Sequence, residues 1–84
     1  MKIYTYHGRC NLCGSNVRRL REANALTQDQ LAARLQVLGL PLTQKAISRI
    51  ETGERVVADY ELVLIAEVLN TGIMELVNGI EPYT

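Results

Sequence analysis

The chain has one histidine, two cysteines and no apolar run near the roughly 18 residues that a membrane span requires. Each scarcity removes a class of function. The N-terminus lacks the apolar h-region of a signal peptide, so the cytoplasm is the expected location and no membrane partner is expected. A structural zinc normally takes four protein ligands, and HGRCNLC supplies only the candidates His7, Cys10 and Cys13. There is no second CxxC, and no βαβ context supports a thioredoxin-like site. Cys10 and Cys13 are therefore expected as reduced thiols near the start of a first helix, with Cys13 partly buried and no metal held. A Gly-rich phosphate loop is also missing, as is any nucleophile with a plausible base. These gaps argue against an enzyme and imply no cofactor.

Net charge is absent as well, with nine cations against nine carboxylates. Its distribution is uneven. Residues 1–50 carry eight Lys and Arg against Glu22 and Asp29, whereas residues 51–84 carry Arg55 alone against seven acids. That split predicts one basic working face and an acidic remainder. Eighty-four residues make one domain, and 48% hydrophobic with 21% charged residues is the composition of a folded chain. The core is small but feasible if the elements are mostly helical.

Residues 1–14 read as a short N-terminal arm, with KIYTYHG extended or forming a single strand, ahead of a domain over residues 15–84. A first helix ends near Asn24, with Leu12, Val17 and Leu20 inward and its start capped by Asn11 or by Ser15. Thr27-Gln28-Asp29-Gln30 matches a capping box, and Leu26 and Leu31 flank it as a hydrophobic staple. Leu31, Ala32, Leu35 and Leu38 continue the apolar face. Gly39 then suits a left-handed stop, with Leu40 packing back on Leu35. Past Pro41, Thr43 caps a third helix, Leu42 and Ile47 repeat the staple, and Gly53 ends it. A fourth helix spans about Asp59 to Leu69, with Leu62, Ile65, Ala66 and Leu69 inward. A short fifth follows near Thr71 to Val77, with Ile73 and Val77 expected in the core and Met74 left open.

The third helix has the most telling surface. In TQKAISRIETG, Ala46, Ile47 and Ile50 form an apolar seam, while Gln44, Lys45, Ser48, Arg49 and Thr52 spread over the opposite face. That face carries amides, cations and hydroxyls but no carboxylate. Amide side chains can bond adenine N6 and N7, and Arg or Lys can bond guanine O6 and N7. A carboxylate there would face phosphates, and Glu51 falls toward the core side. A helix capped at Thr27 that braces a helix capped at Thr43 is the logic of a helix-turn-helix, whose second helix enters the DNA major groove.

VRRLREANALTQDQLAARL followed by ISRIETGERVVADYELVLIAEVLNTGIMELV resembles the phage Cro/repressor-type helix-turn-helix family, the XRE-like transcriptional regulators. The resemblance covers roughly Val17 to Val77. It implies an all-α, compact five-helix domain that binds double-stranded operator DNA, usually as a homodimer, in a prokaryote or phage and at the nucleoid. It places Gln44, Lys45 and Arg49 at base-contacting positions, with Ser48 a further candidate. Thr27, Gln28 and Arg55 match phosphate-contacting positions, and Arg21 and Glu51 match a partly buried salt bridge. One departure stands out: QVLGLPLTQKA fills a gap that is about six residues long in the family. The extra residues are expected to lengthen the second helix by a turn and to add an apolar loop. The acidic C-terminal half offers the rival function, a protein-binding surface on helices four and five, as in antitoxins of this broad fold.

Overall fold

The computed structural model describes residues 5–79. Residues 1–4 of the expected arm and 80–84 of the expected domain lie outside them. Five helices follow in order: α1 (Gly14–Ala23), α2 (Gln28–Val37), α3 (Gln44–Glu51), α4 (Asp59–Val68) and α5 (Ile73–Val77). Among the described residues there is no strand, and the domain is all-α. Within the described part of the expected arm, residues 6–9 form a tight turn closed by two backbone hydrogen bonds between Tyr6 and Arg9.

The helix starts follow from side-chain chemistry. The Thr27 hydroxyl accepts from Gln30 N–H at 3.0 Å, and the Gln30 side chain accepts from Thr27 N–H at 2.8 Å. Both halves of the capping box are thus made. Thr43 accepts from Ala46 N–H at 3.1 Å. At α1 the N-cap residue is Cys13, not Asn11 or Ser15, and its side chain makes no cap bond; Asn11 Oδ1 instead accepts from Gly14 N–H at 2.8 Å. Both staples close, because Leu26, Leu31, Leu42 and Ile47 are all buried.

The stops are equally local. Gly39 has φ +89° and Gly53 φ +81°, a conformation that costs a residue with a Cβ. Leu40 N–H returns to Leu35 C=O at 2.9 Å, and Glu54 N–H returns to Arg49 C=O at 2.8 Å. These are Schellman endings. α2 ends at Val37, and Leu40 and Leu42, both buried, fill the turn before α3.

The core gathers Val17, Leu31, Leu35, Ile47, Ile50, Ile65, Leu69 and Leu76, all at 2% exposure or less. Three residues expected inward are not there. Leu12 is 41% exposed because it precedes α1, where helical spacing does not apply, and Cys13 takes the inward place. Leu38 is 42% exposed because it is the C-cap residue of α2, and the stop buries Leu40 instead. Ile73 is 42% exposed because α5 begins only there, so its single buried residue is Leu76, with Val77 half-buried.

Candidate nucleic-acid interface

α3 turns Ile47 and Ile50 into the core, and its opposite side faces outward. Gln44, Lys45 and Arg49 are exposed, and Ser48 is half-buried. Neither Lys45 nor Arg49 enters an ion pair among the described residues. Thr52 is exposed too, but its hydroxyl is engaged by the Arg49 carbonyl and by Glu54 at 2.8 Å. The outer face of α3 therefore offers two open cations and an amide, all on one surface.

Gln44 does not stand alone. Its Nε2 donates to Gln28 Oε1 at 2.6 Å, and Gln28 Nε2 donates to Glu51 Oε1 at 3.0 Å. Glu51 in turn receives Arg21 Nε at 2.6 Å and the Arg21 terminal nitrogen at 3.0 Å. A last bond runs from Arg21 to the Leu26 carbonyl at 2.8 Å. This relay begins on the exposed face of α3, crosses the N-terminus of α2 and ends on α1. The Arg21–Glu51 side chains are only 11% and 3% exposed, so the pair is buried and bidentate. Hydrogen bonding to Glu51 pushes the Arg21 guanidinium above its ordinary value against the opposing effect of burial.

Thr27 and Gln28 lie beside Gln44 at an open cleft where α2 begins. The positive end of the α2 dipole points there, which favours an anion. Arg55 is differently placed. Its two terminal nitrogens grip the Glu61 carboxylate at 2.9 and 3.0 Å, and Glu61 also accepts from Ala58 N–H. The Arg55 bonds hold the Glu61 carboxyl below the usual carboxylate range, with burial working the other way. Arg55 thus fastens the loop after α3 to the start of α4.

Sequence reasoning missed three parts of this site. One is the Arg55–Glu61 clamp. A second is the link between Gln28 and Gln44, although the two glutamines each follow a capping threonine, and that parallel was a readable signal. The third is the Asn11 side chain, which donates to Ile50 C=O at 3.1 Å and Arg55 C=O at 2.7 Å. Cys10 N–H joins it by bonding Gly53 C=O at 2.8 Å. The CNLC segment thereby seals the C-terminal end of α3. Its thiols are free; Cys13 is buried, and that burial pushes its thiol up. No group of three or more metal-ligating side chains forms among the described residues. No helix among them is long and apolar enough to cross a membrane.

Two adjacent capped helices, the second with a polar outer face and a buried inner one, define a helix-turn-helix domain. A family model described as Helix-turn-helix matches residues 17–76. The chain belongs to this family of DNA-binding regulators, the Cro/repressor-type or XRE-like group. No curated protein and no solved structure gives a significant match.

Proposed function

We propose that the protein is a sequence-specific transcriptional regulator, acting as a repressor on double-stranded operator DNA in the cytoplasm, at the nucleoid. Gln44, Lys45, Ser48 and Arg49 read base edges in the major groove, and Thr27, Gln28 and Arg55 meet phosphates. The observation that carries this reading is the outer face of α3, free of carboxylates and with Gln44 held by Gln28. A base-reading amide already held in place loses less freedom on binding. Two copies on paired half-sites would supply the affinity that one short helix lacks.

Selection of bound duplexes from a random pool, followed by footprinting, tests this. Gln44→Ala and Arg49→Ala should each lose ~1–3 kcal/mol of discrimination at one base position while non-specific binding changes less. Unchanged preference at every position in both variants would remove these residues as base readers. A second reading, an antitoxin-type module that binds a protein through α4 and α5, draws on Ile73 and Met74, which are 42% and 76% exposed. Failure to enrich any duplex would favour it.

A further inference from the structure

One apolar surface, formed by the end of α2 and the outward side of α4, is left largely uncovered, with only Val68 half-buried against the core. Val37 closes α2 and is 86% exposed, and Leu38 beside it is 42% exposed. Together with Val68 of α4 they line an open hollow, at which Arg34 and Glu67 also stand. Tyr60 and Val63 extend the same surface along α4, at 62% and 48% exposure. Residues 60, 63 and 67 share one face by helical spacing. An apolar patch of this kind marks an interaction site more often than chance.

The charges say what fits it. Neither Arg34 nor Glu67 is in an ion pair among the described residues. The patch therefore carries one cation and one carboxylate, each open, with apolar groups between. A patch of one sign repels its own copy. This one is complementary to itself under a two-fold axis, because each Arg34 can face the Glu67 of the other copy.

We propose that a second copy of this chain docks here, in a two-fold dimer that packs Val37, Leu38 and Val68 between reciprocal Arg34–Glu67 pairs. The proposal names a surface for the two-copy arrangement above and rests on that reading. It also leaves the α3 face open. Gln28 marks the end of α2 nearest Gln44, and nine further residues at 1.5 Å each put Val37 about 14 Å along the axis. So small a patch gives a weak dimer, with a dissociation constant on the order of 10 µM.

Analytical ultracentrifugation of the full chain without DNA, across a micromolar concentration series, tests the surface. Wild type should move from monomer to dimer, and Val37→Glu should stay monomeric. Arg34→Glu and Glu67→Arg should each weaken the dimer about tenfold or more, equivalent to 1.4 kcal/mol. The double variant R34E/E67R should return toward wild type, because both pairs are restored with their signs exchanged. All three positions changed are exposed, and thermal melts by circular dichroism verify folding. A wild type that stays monomeric throughout, a dimer indifferent to Val37→Glu, or a double variant no better than the singles would overturn the proposal. Titration of the same samples with the selected duplex keeps the two readings apart. Wild type that dimerises but binds no duplex defeats the DNA reading and leaves the surface standing; monomeric wild type that still binds defeats the surface alone.

Discussion

Asn11, Asn16 and Asn24 perform the same task at three places. Every helix leaves C-terminal carbonyls without an internal partner. Asn11 donates to Ile50 C=O at the end of α3. Asn16 donates to Leu76 C=O at 3.0 Å and Asn78 C=O at 2.8 Å, at the end of α5. Asn24 reaches Leu69 C=O at 3.1 Å, at the end of α4. Asparagine is a poor helix former, yet α1 keeps Asn16 in its first turn because that amide stitches α1 to α5. The close approach of α1 to α3 depends on Gly14. A Cβ there would collide with the Ile50 carbonyl and crowd that of Glu51. Backbone cannot swing aside as a side chain can. Gly14→Ala should therefore destabilise by about 1–3 kcal/mol, the usual range for overpacking, although alanine is the better helix former. Urea denaturation would measure it; a variant as stable as wild type would mean that α1 and α3 can separate without loss.

At the scale of elements, α1 to α4 stop in one manner. Each is followed by a left-handed residue: Ala25 (φ 56°), Gly39, Gly53 and Asn70 (φ 54°). Behind each, an amide returns five residues: Leu26 to Arg21, Leu40 to Leu35, Glu54 to Arg49 and Thr71 to Ala66. Two of these stops hold glycine and one holds asparagine, which tolerates that region. Ala25 is the exception. The left-handed conformation costs an L-residue about 1–2 kcal/mol, while the extra freedom of glycine in the unfolded chain costs about 0.4–1 kcal/mol. Ala25→Gly should thus raise stability by about 0.5–1 kcal/mol, read as a higher urea midpoint with an unchanged slope. A lower midpoint would show that the Ala25 methyl makes a packing contribution larger than its strain.

These stops also show how much of the fold was legible in the sequence. Thr27 with Gln30, Thr43, Gly39 and Gly53 act within six residues of themselves, so local pattern reveals them. Leu12, Leu38 and Ile73 mislead for a related reason: each sits at or beyond a helix end, where the 3.6-residue period no longer decides which way a side chain points. The asparagine ties were hidden because their partners lie 39 to 62 residues away. Composition cannot signal such pairings. The polar face of α3 was legible because it is a property of one helix. The relay behind it, by contrast, required three elements to be brought together.

For the whole molecule, that relay joins the buried ion pair to the proposed reading face through Glu51. Glu51 binds Arg21 on one side and Gln28 on the other, and Gln28 holds Gln44. Considered as an ion pair alone, Glu51 would matter for stability and little for DNA. Glu51→Ala leaves a guanidinium that is nearly buried with only the Leu26 carbonyl as partner. Breaking a buried pair costs about 3–5 kcal/mol, a large share of the ~5–15 kcal/mol that holds an ordinary domain together. Glu51→Gln should recover part of this, since its oxygen still accepts one bond. Chemical denaturation of wild type, Arg21→Ala, Glu51→Ala and the double variant gives the coupling energy, expected at about 1–3 kcal/mol. The relay adds a second consequence. Without Glu51, Gln28 loses its anchor and Gln44 is no longer held in one orientation, so discrimination at the base that we propose Gln44 reads should fall even in fully folded protein. Arg21→Ala removes the ion pair but leaves the Gln44–Gln28–Glu51 bonds in place, so it should lower stability with less effect on discrimination. The two singles are thus separable by pairing denaturation with binding to the selected duplex and its mismatched form. Equal loss of discrimination in both would show that stability alone carries the effect, and that the hydrogen bonds through Gln28 do not orient the reading face.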